Sequence, residues 1–487
     1  MVFAITSNYK YIWKERLKLC YKYKHSSKED TMDLTLQIHW DGEWHDAGKI
    51  QFHDKGRGLY GKPNFMYDTH YILKALEHSL AEADQDVTDK TAVGVNIPCG
   101  FGADFFNGEI APVLRDIIPQ GASRRLWVRA LGYDRDPEQT IDARLLAEGC
   151  VAPIGNLRIR EAAEAFGEKL AVTGATLFSE DEVCIRADRL LEYAYELGVA
   201  IGGATGAGGD APKLLLVENH QGQFALQGTI AESEIQKHWL VKFPRGRKTQ
   251  DDIDVLRGEA AIYRVLENTS LQSIGNTCLR EKDEQFSLWM PRFDRETTQN
   301  GVVRHGVESV YSLMGSIGDG AALNHLEVIQ KLQDKAATPG DEDILLVDYL
   351  MRDILNTMVG NRDNHGRNTA IIKQDGGVLR LAPAYDIAPM VLDPEGIARV
   401  SRWPKDLCLG FNDPVYSEII SLLSNNSDQA IQYMAESLES LTGLRDSLIE
   451  QGAPVSMIEH PGVRLDYPEK ILEELDHTRP KGPAPGG

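Results

Sequence analysis

Asp363 and Asn368 stand five positions apart in the stretch GNRDNHGRN, and a further aspartate, Asp386, follows two short apolar runs, TAIIK and GVLRLA. A fixed carboxylate such as Asp363 can orient an attacking hydroxyl and accept its proton. The amide oxygen of Asn368 and the carboxylate of Asp386 are the hard oxygen donors that Mg2+ prefers. Together they suit phosphoryl transfer, in which positioning and charge neutralisation outweigh covalent chemistry. Read as a hairpin, the two apolar runs return Asp386 to the side of Asn368. Two roles are open to His365, contact with a phosphate or bracing of the loop. The competing reading of the whole stretch is an Asn/Asp-rich turn between a helix and a hairpin.

Protein-kinase catalytic loops use the same Asp–Asn spacing with a second metal-binding Asp downstream. Such a site requires a phosphate cradle and a lysine ahead of it. Gly202, Gly203, Gly206, Gly208 and Gly209 cluster before Lys213, and glycines let backbone N–H groups approach phosphate oxygens. The spacing matches neither GxxxxGK[ST] nor GxGxxG, so a flexible turn is the alternative; its place ahead of two strands favours the cradle. Lys242 lies in the apolar run WLVKFP, where a lysine is costly unless its charge is met. Glu259, on the following helical stretch, is the available partner. The alternative for Lys242 is an edge-strand lysine turned to water.

The elements that must hold these groups are legible from periodicity. Leu34, Leu36, Ile38 and Trp40 alternate as a half-buried strand, and GKIQF follows a Asp41-Gly42 turn. Ser179 and Glu182 form a capping box that opens a helix expected to run to Gly198. KLLLV and FALQ flank the turn ENHQGQ, Ile253 to Leu266 is helical, and FSLWMPRFDR is a strand running into a charged segment. Leu323 to Lys335 and Ile344 to Met358 are amphipathic helices, and helical patterning resumes from about 415 to Gly452. The division expected is a leader (1–32), an N-terminal subdomain (33–155), an ATP-binding lobe (156–295), a helical lobe with the catalytic loop (296–452) and a Pro- and Gly-rich tail (453–487), its last residues disordered. Residues 1–31, rich in Lys and Tyr, read as a poorly ordered leader, a nucleic-acid arm or an over-long start.

The 487 residues imply more than one core. Apolar content of 42% and charged content of 26% are those of a soluble globular protein. A net charge of −21 argues against a general nucleic-acid binder. Six scattered cysteines without a CxxC pair suit reduced thiols in the cytoplasm. No apolar run is long enough to span a membrane.

With these residues in view, the chain from about Asp33 to 440 resembles the HipA-like serine/threonine kinases, toxins of bacterial toxin–antitoxin pairs. The likeness is carried by the glycine loop ending APKLLL, by WLVKFP, by PRFDR, and by GNRDNHGRN with PAYDIAP. It implies an α+β, two-lobed protein-kinase-like fold with a small N-terminal β-rich subdomain and a mainly helical C-terminal lobe. It makes Asp363 the catalytic aspartate and Asn368 and Asp386 the Mg2+ ligands. ATP would lie under Gly206, Gly208, Gly209 and Lys213, beside Lys242. Pro291, Arg292 and Phe293 would form the hinge that meets adenine through backbone groups, with His365 and Tyr385 at nucleotide-site positions. Characterised members phosphorylate a protein, in known cases an aminoacyl-tRNA synthetase, and so stall translation. A helix-turn-helix antitoxin binds them and DNA, so the contact with DNA is indirect. Some members carry an autophosphorylated serine in the glycine loop; here Thr205 is the only hydroxyl there.

The sequence therefore points to an ATP- and Mg2+-dependent serine/threonine protein kinase. Two rivals stand beside it. One is a small-molecule phosphotransferase of the aminoglycoside- or choline-kinase type, which would show an acidic pocket for a cationic acceptor. The other is a degenerate kinase serving as a non-enzymatic co-repressor.

Overall fold

The computed structural model describes residues 31–478, apart from 83–89, 134–139, 198–210, 246–248, 300, 319, 337–338, 374–378 and 411–412. The glycine loop with Gly206, Gly208, Gly209 and Thr205, the leader to residue 30 and the final RPKGPAPGG lie outside the described residues.

Strands β1 (Met32–Trp40), β2 (Glu43–Phe52), β3 (Asn64–Tyr67), β4 (Asp104–Phe105) and β5 (Leu157–Ile159) form an antiparallel sheet in the order β4-β3-β2-β1-β5. The Asp41-Gly42 turn joins β1 to β2, with both residues at positive φ. Contrary to the half-buried strand expected, β1 is buried on both faces from Leu34 to Trp40. Its polar side is covered rather than solvated. Glu161 accepts from the Thr35 backbone N–H (2.9 Å) and hydroxyl (2.8 Å), and Gln37 bonds Asp46 and Arg158. Helices α1 (Thr69–Glu82), α2 (Ala111–Ile117), α3 (Gly121–Ala130) and α4 (Asp142–Gly149) complete this unit. Helix α5 (Arg160–Thr173) leaves it: Ala162 packs in the N-terminal core and Phe166 in the next one. A boundary at 155 thus falls short, since β5 and the start of α5 belong to the first sheet.

The expected capping box of Ser179 and Glu182 is present, but its helix does not continue to Gly198. Helix α6 (Glu180–Cys184) stops, Arg186 takes φ 52, and α7 (Asp188–Leu197) starts anew. The second sheet holds β6 (Lys213–Asn219), β7 (Phe224–Leu226), β8 (Ile235–Lys242), β9 (Cys278–Lys282) and β10 (Gln285–Pro291), ordered β7-β6-β8-β10-β9. Helix α8 (Gln250–Leu266) packs on it, opened by reciprocal capping between Thr249 and Asp252.

The rest is mostly helical. A short hairpin of β11 (Arg295–Thr298) and β12 (Gly301–Arg304) leads to β13 (Gly306–Ser309) and α9 (Val310–Leu313). Helices α10 (His325–Gln333) and α11 (Pro339–Met358) follow, α11 running through the largest core. Strands β14 (Ala370–Lys373) and β15 (Leu379–Leu381) are the hairpin expected between Asn368 and Asp386, and β13 pairs with β14. Helices α12 (Tyr416–Leu423), α13 (Ser427–Glu439) and α14 (Leu444–Glu450) close over α11. The expected tail from 453 is instead part of this core. Helices α15 (Val455–Ile458) and α16 (Tyr467–Thr478) bury Met457, Tyr467, Ile471 and Leu475 against it, because apolar residues at four-residue steps give α16 a core-facing stripe. Among the described residues no helix is long and apolar enough to cross a membrane.

Candidate active site

Two adjoining clefts open where β6 and β8 face the catalytic stretch, and Lys213, Lys242 and Asp386 line both. The first, counted with the open solvent at its mouth, takes in about 740 Å3. Leu240, Ile274, Met290, Phe293, Ala370 and Tyr385 give it apolar walls. Phe293 and Tyr385 stack with ring centroids 5.6 Å apart. The second cleft carries the charged groups Arg245, Asp251, Asp252, Asp363 and Asp393 beside apolar ones such as Phe243, Leu256 and Met390.

Lys242 ends β8 with its ammonium buried. Its Nζ lies 2.5 Å from Glu259 Oε2 and 2.6 Å from Asp386 Oδ1. Burial opposes the ammonium charge, but Asp386 and Glu259 outweigh it and hold the lysine above its ordinary pKa. The water-facing alternative for Lys242 is therefore excluded. Lys213, at the start of β6 and 3% exposed, reaches Asp386 Oδ2 at 3.5 Å. Its pKa is lowered by burial, which Asp386 only partly offsets. Burial likewise opposes the Asp386 carboxylate, but Lys213 and Lys242 prevail and its pKa stays well below the usual range.

Asp386 is held in an unusual conformation. Its φ is 55, a region that costs a non-glycine residue energy. Two neighbours hold its backbone there. Its backbone N–H donates to Tyr263 Oη (2.8 Å), and Asn361 Nδ2 donates to its carbonyl (3.2 Å). Tyr263 also donates to Glu259 Oε1 at 3.4 Å, so one face of α8 presents the partner of Lys242 and the brace of Asp386.

The catalytic stretch begins where Gly360, at φ 70, ends the α11 region. Asn361 Oδ1 accepts the Asp363 N–H at 3.1 Å. Asn368 Nδ2 donates to the Asp363 carbonyl at 2.7 Å, and this leaves Asn368 Oδ1 buried without a hydrogen-bond partner. A buried amide oxygen without a donor is costly, and an oxygen-seeking cation would satisfy it. Burial raises the pKa of Asp363, His365 opposes the rise and Asp386 adds to it. His365 stacks on Tyr311, its Nδ1 accepts the Arg367 N–H at 3.2 Å, and its Nε2 lies 3.8 Å from Asp363 Oδ1. It lines neither cleft, and its contacts tie the loop to Tyr311 and Arg367. Gly366 has no room for a side chain, since an added Cβ would lie 2.5 Å from the Tyr311 ring.

Pro291, Arg292 and Phe293 all line the first cleft, and the Arg292 N–H donates to the His238 carbonyl at 2.9 Å. The Arg292 side chain is turned into a buried ion pair with Asp294 (2.6 Å) and a bond to the Pro153 carbonyl. Asp294 also accepts the Gly155 N–H at 2.7 Å, and Arg295 bonds the Pro153 and Gly155 carbonyls. Much of PRFDR therefore clamps the 153–155 loop to the cleft. Sequence reasoning also missed Tyr263, Asn361 and the Arg245–Asp393 pair. For Tyr263 a signal existed: it sits one helical turn after Glu259.

Antiparallel sheets in front of a helical C-terminal part, with this cleft between them, define an α+β, kinase-like fold. Residues 205–439 match the model of the HipA-like C-terminal domain family. The whole fold is similar to a chain of the Shewanella oneidensis MR-1 toxin–antitoxin complex of HipA, HipB and operator DNA, at 16% identity and a TM-score of 0.59 over 91% of this chain and 97% of that one. The Helicobacter pylori proinflammatory kinase CtkA matches at 12% identity and a TM-score of 0.31, over 56% of this chain and 89% of its own, too loosely to argue from. No curated protein matches the sequence.

Proposed function

We propose that the chain is an ATP- and Mg2+-dependent serine/threonine protein kinase of HipA type, the toxin of a toxin–antitoxin pair. The observation that carries this reading is Lys242 bridging Glu259 and Asp386 in a cleft that Asp363 also lines. In kinases a strand lysine paired with a helix glutamate contacts the phosphates. Lys242 and Lys213 would meet the phosphates of ATP, and the apolar slot with Phe293 and Tyr385 would take the base. Asp363 would orient the acceptor hydroxyl and take its proton, a task its raised pKa suits. Asn368 and Asp386 fit the metal, one with an unsatisfied buried oxygen and the other with a carboxylate kept ionised. When bound, Mg2+ would neutralise charge on the phosphate oxygens.

The acceptor in this reading is a protein, of the kind represented by an aminoacyl-tRNA synthetase, whose modification stalls translation. The Shewanella chain belongs to a complex with HipB and operator DNA. A helix-turn-helix antitoxin is accordingly the partner proposed here, with DNA met through it. The net charge of −21 suits that indirect contact. Incubation with labelled ATP and host extract tests the reading: a labelled protein band, absent with Asp363→Ala, is expected. No labelled protein under any condition would sink it.

One observation favours a second reading. Asp251, Asp252, Asp363, Asp386 and Asp393 outnumber Lys213, Lys242 and Arg245 around the second cleft, an acidic balance that a cationic small-molecule acceptor would require. Phosphate transfer to aminoglycosides or choline in place of protein would select it.

A further inference from the structure

Asp116 is on α2 of the N-terminal unit, 251 positions before Arg367 of the catalytic stretch, yet it lines the first cleft beside it. Its Oδ1 accepts from Arg367 Nη1 at 3.0 Å and from the Ser309 hydroxyl at 2.7 Å, and its Oδ2 accepts the Ser309 N–H at 2.7 Å. Ser309 in turn caps α9, whose Tyr311 ring lies under the Arg367 guanidinium at 5.4 Å. Arg367 is 2% exposed, so its charge is almost wholly withdrawn from water.

Arg367 occupies a pivotal place in the loop. Its carbonyl accepts the Tyr385 hydroxyl at 2.5 Å, next to Asp386, and its N–H is held by His365. It also directly precedes Asn368, whose amide spans back to Asp363. A shift of Arg367 would therefore move both oxygen donors assigned to the metal, although neither touches Asp116. Other contacts tie the same surfaces together. Glu308 accepts the Val95 N–H at 2.8 Å, Lys373 donates to the Ala92 carbonyl at 2.7 Å, and Asn96 donates to the Leu313 carbonyl at 3.0 Å. These are held by side chains flanking the loop; Asp116 alone among them reaches the loop itself.

We propose that Asp116 is a positioning residue for phosphoryl transfer: through Arg367 it sets the register of the loop that carries Asp363 and Asn368, making the N-terminal unit part of the catalytic apparatus. The inference rests on the kinase reading, and metal binding separates the two.

The test compares full-length wild type, Asp116→Asn and the double variant Asp116→Leu/Arg367→Met. Replacing both members of a buried ion pair by apolar residues of similar size is often neutral for stability. Mn2+ affinity is measured by paramagnetic resonance in the presence of a non-hydrolysable ATP analogue, alongside kcat, the KM for acceptor and the thermal midpoint. Asp116→Asn is expected to weaken Mn2+ by about tenfold or more, as loss of a group orienting a metal ligand does. It should lower kcat comparably and leave the acceptor KM little changed. The double variant should regain the wild-type thermal midpoint and keep the weakened Mn2+ affinity, which decides the matter even if Asp116→Asn fails to fold. Return of wild-type Mn2+ affinity in the double variant, or unchanged affinity in a folded Asp116→Asn, would overturn the proposal. Mn2+·nucleotide binding without phosphate transfer in wild type would sink the kinase reading alone. Absence of that binding would sink both.

Discussion

The ammonium of Lys242 lies 2.6 Å from the carboxylate of Asp386, so the last residue of a β-sheet strand and a loop residue 144 positions later are joined by a buried ion pair. Glu259 shares the same ammonium from the opposite side. Lys242→Met would leave two carboxylates facing each other with only Lys213 between them and the cleft. It is expected to abolish phosphate transfer and to destabilise the fold by about 3–5 kcal/mol, the usual cost of breaking a buried pair. Chemical denaturation reads the second effect; a loss under about 1 kcal/mol would show that the bridge contributes little.

Asp363→Ala should separate function from fold. The side chain belongs to the loop and its ion-pair partner, His365, is 3.8 Å away, so stability should change by less than about 1 kcal/mol. Transfer should fall by about 100-fold or more, the contribution expected of a positioned base. Retained transfer would remove Asp363 from its role.

Asn368→Ala removes the buried amide oxygen that lacks a partner and the bond to the Asp363 carbonyl. The Mg2+ concentration for half-maximal activity is expected to rise about tenfold. An unchanged Mg2+ requirement would mean that the oxygen faces something other than a metal.

The pH profile follows from Asp363. The acting form is the carboxylate, and burial moves its pKa above the ordinary 3.8. Activity should therefore be lost, as pH falls, at a midpoint above 3.8, and Asp363→Glu should move that limb. A kcat/KM profile whose acid limb lay at or below 3.8 would contradict the burial argument.

Asp294 predicts a stability effect. Burial opposes its carboxylate, but Arg292 and Arg295 hold its pKa far below the ordinary 3.8. A depressed carboxylate contributes stability that is fully present above the unfolded value and is lost as pH falls below it. Asp294→Asn should cost about 3–5 kcal/mol at neutral pH and flatten the loss of stability below pH 3.8. Equal acid sensitivity in the two proteins would argue against the pair.

Local patterns made part of this site legible. Lys242 stood out because a lysine in an apolar strand needs a partner, and Glu259 was the nearest on a helix. The TAIIK and GVLRLA runs read as the hairpin they form. What could not be read was partnership between distant buried groups. Asp116 looks like any helical aspartate until α2 is laid against β13 and the loop. The Arg292–Asp294 ion pair could not be read, because sequence does not reveal which way a side chain turns. The stripe of Tyr467, Ile471 and Leu475 was present, but the surrounding Pro and Gly obscured it.

That last helix has a consequence for synthesis. Tyr467, Ile471 and Leu475 complete the core through which α11 runs, and α11 leads into the loop bearing Asp363 and Asn368. A ribosome makes the loop well before it makes α16. Chains fold as they emerge, N-terminal parts first. A nascent chain can therefore assemble its first two sheets while the lobe that supports the Asp363–Asn368 loop is still incomplete, and that support is whole only once α16 has left the exit tunnel.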